Sequence, residues 1–115
     1  MSTDSTPPAP PTLEQIQAAR RTLLGRVRET PAWTWQGQRL EEVAPAGATI
    51  VNKLELFQHA GSFKARGVML RMLGLDDAAR ARGVTAVSAG NHAMAVSYVA
   101  PVSYTHLTLP TIYSV

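Results

Sequence analysis

The sequence predicts an α/β fold built on a parallel sheet, and three observations point to it. Thr49 to Leu54 and Val84 to Ser88 are short runs rich in strand-forming residues. Each leads, through a turn of small residues, into a helical stretch: Phe63 to Leu73 after the first and Asn91 to Ala100 after the second. The order strand, helix, strand, helix calls for parallel strands joined by right-handed crossovers. A chain of 115 residues with 45% hydrophobic content suits one small globular domain, although it is short for an α/β enzyme.

Taken in order, the chain opens with residues 1–11, where four prolines stand among Ser, Thr and Asp. Such a stretch cannot bury a core and reads as a disordered leader. Thr12 and Gln15 match a capping box, the start of a helix whose apolar residues Leu13, Ile16, Leu23, Leu24 and Val27 share one face. Gly25 weakens that helix near its end, and Thr30-Pro31 stops it. Pro31 to Leu40 reads as extended, with Trp33 and Trp35 on one side, and Ala44 to Ala48 supplies the Pro and Gly of a turn. Glu55 to Ala60 carries the chain from the first strand into Gly61-Ser62-Phe63-Lys64. Gly74 is placed to end the helix that follows. Asp76 to Arg82 reads as a solvated helical turn closed by Gly83.

Several function classes are disfavoured. The formal charge of +3 comes from 11 basic and 8 acidic residues, and the arginines form no dense face interleaved with aromatics, so nucleic acid is not an expected partner. No apolar run approaches the roughly 20 residues that cross a bilayer. The N-terminal residues lack a basic patch and an apolar core, so no secretory signal is read and a cytoplasmic location is expected. With no cysteine and no spaced ligand set, no metal site is expected.

The chemistry concentrates in two segments, Gly61-Ser62-Phe63-Lys64-Ala65-Arg66-Gly67 and Ser88-Ala89-Gly90-Asn91-His92. Both lie where a strand ends and a helix begins, the place where ligands collect in α/β sheets. A lysine beside a helix start is ordinarily a surface side chain. Here it is flanked by glycines and serine that admit close approach, and by Phe63, which can pack on a planar ring. Desolvation at that spot would favour the neutral amine that attacks an aldehyde. In the second segment the amides of a helix start are free to meet an anion such as a substrate carboxylate. Asn91 is as readily a helix cap or turn residue as a ligand-binding one, and His92 is usually a capping or core histidine, with no spaced second ligand to support a metal role.

Together these segments resemble the pyridoxal-phosphate enzymes of the tryptophan-synthase-β-like fold, within the branch of threonine/serine dehydratases and serine racemases. The resemblance runs from about Thr12 to Ala100 and includes Thr30-Pro31 and Lys53-Leu54-Glu55. It implies a partial, truncated version of that parallel-sheet fold, with residues 12–100 forming the N-terminal part of the catalytic domain. It also implies that Lys64 forms the Schiff base with pyridoxal 5'-phosphate and moves the substrate α-proton, that Phe63 lies beside the pyridine ring, and that Asn91 bonds the cofactor's phenolic oxygen. Ser88, Ala89, Gly90 and His92 would line the substrate-carboxylate loop. The implied reaction is β-elimination from a small hydroxyamino acid, giving a 2-oxo acid and ammonia, in a full-length protein that is a homo-oligomer. Racemases of this branch carry a second serine where Ala89 stands. Alanine has no proton to give, so dehydration is favoured over racemisation. Serine racemase or aryl-serine dehydratase is the alternative within enzymes, and a non-catalytic α/β fragment the alternative outside them. The glycine-rich phosphate loop and the partner of the pyridine nitrogen are expected downstream, so this chain by itself is expected to be inactive.

Residues 101–115 do not fit the rest. Charge vanishes and Thr, Tyr, Leu and Pro take over. The segment resembles an in-frame translation of the adapter DNA used in transposase-based sequencing libraries, so a non-native tail is expected there, with a genuine edge strand as the alternative. Pro101 is expected to cut the last helix short.

Overall fold

The computed structural model describes residues 9–108, apart from the Glu41 side chain. The expected leader falls largely outside them, as do the last seven positions of the expected tail; residues 9–11 are exposed and belong to no element.

Helix α1 spans Leu13–Leu23 and opens with the anticipated capping box. The Gln15 amide donates to Thr12 Oγ1 at 3.2 Å, and the Thr12 amide donates to Gln15 Oε1 at 2.8 Å. The helix stops earlier than its apolar spacing suggests, because Gly25 takes the left-handed conformation with φ 73°. Of the predicted apolar face only Leu23 is buried; Val27 packs at the edge of the core, whereas Leu13, Ile16 and Leu24 are exposed.

The pairing of the strands differs from expectation. Strand β1 (Ala32–Thr34) pairs antiparallel with β2 (Val51–Lys53), setting Trp33 opposite Asn52. The segment between them holds a short helix α2 (Gln38–Val43), where the sequence suggested extended chain up to Leu40, and then the expected turn. Trp33 and Trp35 are both exposed. The strand that precedes the lysine turn is therefore part of a two-stranded ribbon and is not the neighbour of the second strand. Two 3-10 turns, Glu55–Phe57 and His59–Gly61, separate it from α3 (Lys64–Leu73). The parallel pairing occurs later: β3 (Val84–Thr85), shorter than the predicted Val84 to Ser88, pairs with β4 (Leu107–Thr108).

Helix α4 (Asp77–Arg82) leads into β3, and α5 (Asn91–Val102) links β3 to β4. Asp76 caps α4 by accepting from the Ala79 amide at 2.6 Å. Gly83 then turns the chain with φ 78°, and a Cβ there would lie 2.7 Å from the His106 carbonyl oxygen. Only glycine lets β3 meet the chain entering β4 this closely, where the Val84 amide donates to His106 at 2.7 Å. Pro101 does not end α5 at Ala100. It sits in the last turn and forfeits the one bond its nitrogen cannot donate, yet the helix continues past it and the Ser103 amide still reaches the Val99 carbonyl at 2.9 Å.

The core is the contact of α3 with α5. Ala65, Val68, Met69 and Met72 face Ala95, Val96, Val99 and Ala100, with Leu23 and Ala86 closing the ends. Alanines at these positions are essentially without exposure, which lets the two helices approach closely. This contact brings the start of α3, with its lysine, and the start of α5 to the same side of the chain. Among the described residues no helix is long and apolar enough to cross a membrane.

Candidate active site

The lysine turn is held from beneath by a polar network that joins four segments distant in sequence. Arg66, in the first turn of α3, grips Glu55 with both arms of its guanidinium: Nε reaches Oε2 at 2.8 Å and Nη2 reaches Oε1 at 2.7 Å. Buried Thr30 donates its hydroxyl to Glu55 Oε1 at 2.5 Å, and the Thr30 carbonyl accepts from Lys53 Nζ. Arg66 Nη2 also reaches the Arg28 carbonyl at 3.3 Å. Buried Gln58 completes the tie. Its Oε1 accepts from the amides of Arg28 at 2.9 Å and His59 at 3.0 Å, and its Nε2 donates to the Arg28 carbonyl at 2.8 Å.

The hydrogen bonds from Arg66, helped by Thr30, hold the Glu55 carboxyl down to about 2 against the opposing effect of burial. The Arg66 guanidinium is raised in turn by Glu55. Next to this network His59 stacks on Tyr98, with centroids 4.6 Å apart, and its burial pushes the imidazole below its ordinary range.

Above the network lies a cleft of about 580 Å³. Its lining includes Phe63 and Lys64 at the start of α3, His92 at the start of α5, and Val84 and Thr85 of β3 with Ala86 just after them. The Lys64 ammonium lies 5.2 Å from the Phe63 ring centroid. Lys64 is exposed, so the desolvation anticipated for it is not supplied by the residues described. Its amine has no carboxylate partner among the described residues. The chain has only one other lysine, Lys53, and that amine is engaged by the Thr30 carbonyl.

Of the residues singled out in the sequence, the structure brings Phe63, Lys64 and His92 to one cleft. Ser88, Ala89, Gly90 and Asn91 form the lead-in to α5 beside His92 and are not part of the cleft lining. Asn91 is the first residue of the helix and does not cap it; Gly90 takes the capping position, and no side chain bonds the first amides there. Ser88 Oγ accepts from the Gly90 amide at 3.2 Å, which shapes this loop. His92 is exposed, so it is not a core histidine. Ser62, directly before Phe63, is buried, and its hydroxyl has no hydrogen-bond partner among the described residues.

Sequence reasoning passed over Arg66, Gln58 and the role of Thr30. The only available signal was an acid and a base on either side of the glycine turn, and spacing alone does not say that such residues meet. The donor set suits an aldehyde-bearing aromatic ring: a lysine amine with no carboxylate partner among the described residues, a phenyl ring beside it and a largely apolar lining.

An amine set on a strand-and-helix cleft is suited to Schiff-base chemistry, and comparison gives the class of protein. The model of the pyridoxal-phosphate dependent enzyme family matches residues 23–107, and the chain belongs to that family. It is similar to the phenylserine dehydratase of Ralstonia pickettii, with 47% identity over 91 residues, covering 78% of this chain and 26% of that protein. It is also similar to the L-threonine ammonia-lyase of Thermotoga maritima, with 43% identity, covering 79% of this chain and 22% of the relative. Among solved structures, the serine racemase from Dictyostelium discoideum superposes with a TM-score of 0.70 at 32% identity, over 84% of this chain and 30% of that one. The chain thus spans about a quarter of the length of the curated relatives it matches, 26% and 22% for the two named.

Proposed function

We propose that a polypeptide containing this chain is a pyridoxal-phosphate-dependent ammonia-lyase, converting L-threonine or L-serine to a 2-oxo acid and ammonia by β-elimination. The observation that carries this reading is the division of labour between two lysines: Lys53 is held by a carbonyl, while Lys64 stands free on the cleft beside an aromatic ring. Pyridoxal phosphate held there would supply an electron sink for the charge left when the α-proton departs. Lys64 would hold it through Nζ and then carry that proton. Phe63 would pack against the ring, and Asn91, beside the cleft, would donate to its phenolic oxygen. Ser88, Ala89, Gly90 and His92 hold the substrate carboxylate against the first amides of α5.

The alternatives are racemisation of serine and dehydration of an aryl-serine, the latter supported by the identity to phenylserine dehydratase. Ala89 speaks against racemisation, because it puts no proton donor where the opposite face of the substrate would be protonated. The test is to recover the contiguous downstream reading frame, express the full-length protein, and assay L-threonine, L-serine and phenylserine. The expected result is 2-oxo acid formation with no D-serine. D-serine as the main product, or no turnover of any hydroxyamino acid by a protein that has taken up the cofactor, would overturn it. The same reading places the full-length protein in the cytoplasm as a homo-oligomer, which cell fractionation and sedimentation test. The 115-residue chain alone is inactive on this reading, since the glycine-rich phosphate loop and the partner of the pyridine nitrogen are expected downstream of it.

We further propose that residues 101–115 are not native to the protein. The support is its composition: no Asp, Glu, Lys or Arg occurs from Pro101 to Val115, where Thr, Tyr, Leu and Pro take over. Against this, Ser103 and Thr105 are buried and the family match reaches residue 107. The nucleotide read decides: adapter sequence after codon 100 supports the proposal, and codons continuing the gene overturn it.

A further inference from the structure

We propose that Glu55 and Arg66, acting through Thr30, are positioning residues that set the two lysine amines apart, engaging Lys53 at the Thr30 carbonyl and leaving Lys64 on the cleft. The inference rests on reading Lys64 as the cofactor amine, but it is carried by geometry of its own. Thr30 is the junction. Its hydroxyl is fixed by Glu55 at 2.5 Å, and that orientation aims its carbonyl at Lys53 Nζ. The same Glu55 takes both arms of Arg66, two residues beyond Lys64. A cation in the first turn of a helix is disfavoured by the helix dipole, so Arg66 is not there to stabilise α3. What it does is pin that turn to the 3-10 turn beneath, with a third contact to the Arg28 carbonyl at 3.3 Å. Lys64, at the first position of the pinned turn, lines the cleft with its amine over Phe63 and makes no ion pair with Glu55. One carboxylate therefore governs both amines, and the acid that would otherwise pair with a nearby lysine is already saturated by a bidentate arginine.

The test measures amine availability on the 115-residue chain itself. The chain is reductively methylated with formaldehyde and cyanoborohydride, and separately treated with pyridoxal 5'-phosphate and borohydride; labelling at Lys64 and Lys53 is then read by peptide mass spectrometry. Lys64 is expected to label about fivefold more than Lys53 with formaldehyde, the factor that one net hydrogen bond on Lys53 supplies. Glu55→Gln, which keeps shape but not charge, and Arg66→Ala are expected to bring the ratio towards one while the helical circular dichroism is kept. The charge-swapped double variant, Glu55→Arg with Arg66→Glu, is expected to restore it.

Equal labelling in the parent, or a ratio unchanged in folded single variants, would overturn the proposal. Should the single variants unfold, the swapped variant decides: recovered helicity without a recovered ratio also overturns it. Discrimination with formaldehyde but none with pyridoxal phosphate would leave the positioning role standing and count against the cofactor role of Lys64.

Discussion

Lys64→Ala in the full-length enzyme is expected to lower 2-oxo acid formation by on the order of 10³-fold or more, the scale of losing both an activated nucleophile and a positioned proton carrier. The loss should leave folding untouched. Lys64 is exposed and has no ion-pair partner among the described residues, and substitutions of that kind shift stability by only about 0.5 kcal/mol either way. Lys64→Arg should be as inactive as the alanine variant, because a guanidinium keeps the charge yet offers no neutral amine. Activity and absorbance of the bound cofactor, measured beside a thermal melt, separate this from a stability effect. A Lys64→Ala enzyme that keeps its colour and its turnover would remove Lys64 from the mechanism and with it the assignment of the cleft.

Glu55 is where the largest effect on stability is expected. Replacing it by alanine leaves the Arg66 guanidinium and the buried Thr30 hydroxyl without their partner, at a cost of roughly 2–4 kcal/mol. Arg66 keeps 32% of its side chain in contact with solvent, which places the outcome towards the lower end of that range. The pH dependence follows from the direction of the shift. The Glu55 carboxyl is lowered from 4.5 to about 2 in the folded chain, so its contribution is complete above about 4.5 and drains away as pH falls towards 2. Chemical denaturation at stepped pH should show the parent losing stability across that window. The Glu55→Gln chain should start lower and lose less over the same range. Parallel curves for the two would mean that the ion pair seen here does not govern the turn.

Local signals in the sequence carried the helices well. Thr12 with Gln15, Asp76 before α4 and Gly74 after α3 each satisfy the backbone groups of a helix end, a requirement set within a few residues. The strands were less legible. Val51 to Lys53 is only three residues long and could pair with either neighbour, and nothing local says that Pro31 to Thr34 would reach it first. The apolar face of α1 misled for a related reason. Periodicity reports which residues share a face, whereas burial depends on what packs against it, and most of that face has nothing against it among the described residues.

What the sequence determined by itself was the chemistry: a lysine in a glycine-flanked turn, a phenyl ring next to it, and a small-residue helix start two dozen residues on. Those are properties of neighbours along the chain, and covalent connection alone keeps them together. Only the tertiary structure decided which of the two lysines is free, because that depends on Thr30, Glu55 and Arg66 converging from separate segments. It also decided that His92 shares a cleft with Lys64 while Asn91 stands beside that cleft, a consequence of how closely the alanines let α3 and α5 approach. Contacts between residues far apart in sequence are selected by packing and hydrogen-bond geometry, and neither is written in any local pattern.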